Sequence, residues 1–80
     1  MVRCAVRGRV LCLPEVIQGQ TSFLLLAESK LYRIFRDDPP GQVRDLLFLR
    51  EGMLLQVQGF RLPKNRILAQ TIHIEQARKQ

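Results

Sequence analysis

The chain has 80 residues, 46% of them hydrophobic and 25% charged, which fits a single folded domain and excludes intrinsic disorder. Thirteen Lys and Arg against seven Asp and Glu leave a formal charge of +6 and a pI near 10.4, a balance that turns attention to polyanionic partners. No apolar run approaches the ~20 residues of a membrane span, and Arg3 and Arg7 interrupt any signal-peptide stretch, so a cytoplasmic domain with no membrane partner is expected.

A first strand is expected over residues 2–13, ending at Pro14, which cannot donate to a ladder. Val2, Cys4 and Val6 alternate with Arg3, Ala5 and Arg7, giving one apolar and one mostly basic face. Gly8 follows, as in a strand that bends. Residues 15–20 read as a loop turning at Gly19. A second strand over 21–27 carries the run Phe23-Leu24-Leu25-Leu26, which fits a strand covered on both faces or one whose outer face binds a partner. Glu28-Ser29-Lys30 is a hairpin turn into a third strand, 31–36. An unpartnered arginine is costly in a small core, so Tyr32 and Ile34 point inward while Leu31, Arg33 and Phe35 point out. An aromatic beside an arginine on an outer sheet face is a stacking platform for unpaired bases.

Asp37-Asp38-Pro39-Pro40-Gly41 is a break. Across residues 42–49, Val43, Leu46 and Leu47 stand at the i, i+3, i+4 spacing of one helical face, and a short helix is expected there. The turn Arg50-Glu51-Gly52 opens a fourth strand, 53–60. Leu55 and Val57 share one of its faces, Leu54, Gln56 and Gln58 the other, and Gly59 reads as a bulge or bend. Arg61-Leu62-Pro63-Lys64-Asn65-Arg66 is a basic hairpin loop. A fifth strand over 67–74 places Leu68, Ile72 and Ile74 on one parity, interrupted by Gln70. The domain is read as residues 1–75 and a basic polar tail as 76–80. Two long strands, each with a glycine after an alternating run, describe a sheet that curls and closes. The fold class expected is therefore an all-β, five-stranded barrel, closed or partly open, with one short helix between strands three and four.

Cys4 and Cys12 lie on one expected strand, roughly 26 Å apart if it is straight, beyond the ~7 Å reach of a disulfide. Both are read as small buried hydrophobes. His73 is the lone histidine and stands far from either cysteine, so no metal site is expected. No Ser-His-Asp or Cys-His constellation and no glycine-rich phosphate loop is present, and the adjacent Asp37 and Asp38 read as turn residues. Neither catalysis nor a cofactor is expected. Ten of the thirteen basic residues are arginine, the side chain suited to bidentate phosphate contact and base stacking.

The order strand, strand, strand, helix, strand, strand carries Val6-Arg7-Gly8-Arg9-Val10 in strand one and Phe23-Leu24-Leu25-Leu26 in strand two. Residues 31–35 follow in strand three, Leu49-Arg50-Glu51-Gly52 with Leu55-Gln56-Val57-Gln58-Gly59 in strand four, and residues 68–74 in strand five. Over almost the whole chain this resembles an OB-fold of the nucleic-acid-binding kind. The resemblance implies that the face of strands two and three, flanked by the loops after strands one and four, holds single-stranded DNA or RNA. By position it implies Leu24, Leu31, Arg33 and Phe35 on the sheet, Arg61, Lys64 and Arg66 on the loop, and Arg7 and Arg9 flanking the same groove. The first loop carries Glu15 and no basic residue, and few aromatics are free to stack. Binding mainly through phosphates, with limited stacking and weak sequence preference, is the expectation. A second reading is a protein-interaction subunit that pairs with itself or docks onto a larger nucleic-acid-processing complex. Its support is the set of outward apolar positions Leu11, Leu13, Leu24, Leu31 and Leu54.

Overall fold

Six strands build the described structure: β1 (Val2–Val10), β2 (Glu15–Ile17), β3 (Gln20–Ala27), β4 (Lys30–Asp37), β5 (Leu54–Leu62) and β6 (Arg66–Gln76). They belong to a computed structural model that describes residues 2–12, 14–17, 19–37 and 49–76. β1 is the strand on which the sheet closes. It runs antiparallel to β5 from Val2↔Arg61 to Arg9↔Leu54, then pairs with β3 through Arg9↔Leu26 and Val10↔Leu25. The remaining ladders join β5 to β6, β6 to β4 and β4 to β3, and the β4–β6 ladder is parallel. The result is a closed, mixed, five-stranded barrel of OB-like form, with β2 added at the edge of β3.

Closure brings backbones very near one another at two glycines. A Cβ on Gly8 would lie 2.4 Å from the Leu26 carbonyl oxygen, and one on Gly59 would lie 2.1 Å from that of Leu68. No other residue fits without moving a neighbouring strand, which is why the alternating runs of β1 and β5 each contain a glycine.

Inward positions form one core. Leu25, Ile34, Leu55, Val57 and Ile67 are fully buried, joined by Val10, Phe23, Ala27, Tyr32 and Ala69. Leu49 and Met53, from the segment entering β5, complete it. That segment is tied to β1: the Val10 N–H donates to the Met53 carbonyl at 2.9 Å and the Gly52 N–H to the Val10 carbonyl at 2.8 Å. The inward orientation of Tyr32 and Ile34, and of Leu55 and Val57, agrees with the parity expected from sequence.

Four expectations are corrected. The fold class holds no helix among the described residues, and Leu49, the last position of the expected one, has irregular backbone. The rest of that segment, together with Leu13, lies outside the described residues. Among the described residues the barrel is closed by strand pairing. Residues 15–17, read as loop, form β2 against Gln20, Thr21 and Ser22. On β6 the buried pair is Ile67 and Ala69, and Leu68 faces outward. Register shifts opposite Gln58/Gly59 and Leu54/Leu55 leave Gln70 and Glu75 as extra residues, and each bulge reverses the parity that simple alternation assumes. Finally, both cysteines are free, but Cys12 is exposed and Cys4 only half-buried.

Candidate nucleic-acid interface

The outer face of β3 and β4 is assembled by register. Two residues directly opposite in a ladder point to the same side of a sheet, with strands ~4.8 Å apart. Leu24 stands opposite Arg33, and Arg33 opposite Arg66 across the parallel ladder. One row thus reads Leu24, Arg33, Arg66. Leu11 extends it, because its N–H donates to the Leu24 carbonyl at 2.9 Å. The row on one side pairs Leu26 with Leu31, and Arg9 stands opposite Leu26. The row on the other side pairs Ser22 with Phe35, and Phe35 with Leu68.

Arg33 and Arg66 are the electrostatic centre of this face. Like charges directly opposite in a ladder repel. The Arg66 Nε donates to the Pro63 carbonyl at 2.8 Å, but the Arg33 guanidinium has no hydrogen-bond or ion-pair partner among the described residues. Glu15 lines a groove of about 120 Å³ with Arg33, Cys12, Ser22, Phe23 and Leu24 without bonding the arginine. An anion bound between these two positions would offset the repulsion and could accept from the Arg33 guanidinium and the Arg66 Nη groups.

The loop expected to flank the face is joined to it. The Arg33 N–H donates to the Asn65 carbonyl at 3.0 Å, which fixes the Pro63-Lys64-Asn65 turn beside β4. Lys64 and Asn65 have φ of 65° and 54°, left-handed backbone that costs a non-glycine residue roughly 1–2 kcal/mol. Lys64 is exposed at this turn.

The nine residues implied by the OB resemblance therefore separate. Leu24, Leu31, Arg33, Phe35 and Arg66 share the face, Lys64 borders it, and Arg9 sits at its β1 edge with Nη1 donating to the Gly52 carbonyl at 2.8 Å. Arg61 shares the parity of Val57 and Gly59 and emerges at the barrel end, its guanidinium 5.7 Å from the centre of the Tyr32 ring. Arg7 stands on the opposite wall, opposite Gln56 and ion-paired with Glu75. Sequence reading missed Leu26, which is 44% exposed beside Leu31 at 45%. Its inclusion in an apolar run hid its outward parity. Among the described residues no cluster of three His, Cys, Asp or Glu stands where it could hold a metal ion.

No protein-family model matches the chain, and no curated protein matches it. Among solved structures it is similar to TiaS, a tRNA agmatidine synthetase. The ZRD-deleted mutant of TiaS in complex with agmatine gives a TM-score of 0.82 at 25% identity, over 96% of this chain and 22% of that one. Apo TiaS and the complex of TiaS with tRNA and ATP each give 0.80 at 26% identity, over 94% of this chain and 18% of theirs. The chain thus spans less than a quarter of the length of the proteins it resembles.

Proposed function

We propose that this barrel is a non-catalytic nucleic-acid-binding module that holds a single strand, RNA in particular, across the outer face of β3 and β4. The observation that carries the reading is that Arg33 and Arg66 are register partners on an outer wall, with no ion pair between either of them and an acid among the described residues. Lys64 extends the positive border, Phe35 offers an aromatic surface for a base, and Leu24, Leu26 and Leu31 supply apolar contact for ribose and base faces. Similarity to TiaS, which has been crystallised with a tRNA, supports RNA over DNA. The test is fluorescence titration of labelled rU and dT 12-mers, with duplex of the same length as control. Single strands bind more tightly than duplex, and Arg33→Glu with Lys64→Glu weakens binding to every sequence tested. Equal binding to duplex, or an unchanged affinity in the double variant, contradicts the reading.

A second reading is favoured by the contiguity of Leu11, Leu24, Leu26 and Leu31, three of which are 40–45% exposed. The same face then docks a protein surface, another copy of the chain or a larger assembly, as exposed apolar patches commonly do. Light scattering at high salt separates the two, because a self-association driven by these leucines persists where phosphate contacts are screened.

A further inference from the structure

A second groove, of about 390 Å³, lies on the wall formed by β1, β5 and β6, lined by Arg3, Cys4, Ala5, Gln58, Gly59, Gln70 and Thr71. We infer that it is a subsite for one nucleobase. The inference rests on the strand-binding reading above and extends it from phosphate contact to base recognition.

Its volume falls within the ~300–1,000 Å³ of small-ligand sites. Its chemistry suits the edge of a base. Gln58 and Gln70 each offer an amide donor and acceptor, and Thr71 a hydroxyl that does both. None of the three side chains has a hydrogen-bond partner among the described residues. Arg3, which lines the groove, lies with its guanidinium 5.9 Å from the centre of the Phe60 ring, so the groove is bordered by a cationic plane backed by an aromatic ring. Unpaired bases are recognised by stacking on such planes and by hydrogen bonds along their edges.

The bulge gives independent support. Gln58 stands opposite Thr71 and Gly59 opposite Ala69, so Gln70 is an extra residue, and Gln70 and Thr71 are both exposed and both line the groove. A regular strand would send one of them inward. Bulges commonly re-aim side chains toward a binding site in this way.

Ala5 is exposed and lines the groove, at a strand position where branched or aromatic residues are favoured. A small side chain there keeps the groove open. A path from the first face also exists, because Ser22, Phe35, Leu68, Phe60 and Arg3 are successive register partners across β3, β4, β6, β5 and β1.

The test is NMR titration of ¹⁵N-labelled protein with AMP, GMP, CMP and UMP, using ribose 5-phosphate as the base-free control. The side-chain amides of Gln58 and Gln70 and the backbone amide of Thr71 shift with nucleotide and not with ribose 5-phosphate. The preferred base binds at least about fivefold tighter than the weakest, as one good bidentate pair provides. Ala5→Ile, which raises β-propensity and fills the groove, abolishes these shifts in a folded protein. Shifts identical with ribose 5-phosphate, shifts confined to β3 and β4, or full retention in Ala5→Ile would overturn the inference. Arg33→Glu with Arg66→Glu separates the two claims. That variant loses affinity for 12-mers and keeps the mononucleotide shifts. Wild-type protein that binds no 12-mer yet shows the shifts brings down the strand reading alone, whereas 12-mer binding with a silent groove brings down the base subsite alone.

Discussion

At Gly8 and Gly59 a single methyl group meets backbone, not a side chain that can turn aside. The Leu26 and Leu68 carbonyls stand 2.4 and 2.1 Å from where each Cβ would lie, and relief requires moving a whole strand. Gly8→Ala or Gly59→Ala therefore costs about 3 kcal/mol, the upper range for overpacking, read as a lowered urea midpoint with the m-value preserved. The β3–β4 hairpin behaves in the opposite sense. Glu28 and Ser29 have φ of 52° and 65°, the left-handed pair of a two-residue turn that Asn-Gly fills at lower cost. Ser29→Gly raises stability by about 1 kcal/mol, and thermal unfolding followed by circular dichroism measures it. The strand parities of Tyr32, Ile34, Leu55 and Val57 were legible in sequence because short alternating runs betray which side is wet. The environment of Cys12 was not, since nothing local says that β1 ends at Val10 and leaves the thiol exposed.

Among the elements, β6 shows where legibility ends. Its inward set changes from Ile67 and Ala69 to Ile72 across an extra residue at Gln70, and a bulge has no signature in a one-dimensional pattern when neither flanking residue is glycine. β2 escaped for a different reason. Three residues are too few to display a period, and their pairing depends on where Gly19 turns the chain. Ladder pairing itself was also hidden. The Arg33–Arg66 abutment and the Arg7–Glu75 ion pair join positions far apart in sequence, and only the barrel's strand order brings them together. That abutment makes a prediction of opposite signs. Arg33→Gln removes a repulsive cross-strand pair, so stability is unchanged or rises by about 0.5 kcal/mol. Affinity for a 12-mer falls, and the salt slope shrinks by ~0.7 for the lost phosphate contact. Denaturation and titration on the same sample check both.

Across the whole molecule, closure and charge act together. The closed barrel pairs its five main strands along the ladders among the described residues, so the Cα positions of outward cations are fixed by ladder spacing. The net charge of +6 was readable at once. Its division was not: Arg7 is occupied by Glu75, Arg9 binds the Gly52 carbonyl, and Arg61 covers Tyr32. The barrel also predicts a protection pattern. Amides of Leu25, Ile34 and Val57 in the closed ring exchange at or near the global unfolding limit, and those of β2 exchange fastest among the strands, as hydrogen exchange by NMR will record.

The central claim is that a nucleic-acid strand is held by cations gathered on the β3–β4 face. It is tested most directly by the affinity for a labelled rU 12-mer measured from about 50 to 200 mM salt. With Arg33, Arg66 and Lys64 each engaging a phosphate, log K against log salt falls with a slope of roughly −2. A slope near zero, or no binding at about 50 mM salt, contradicts it.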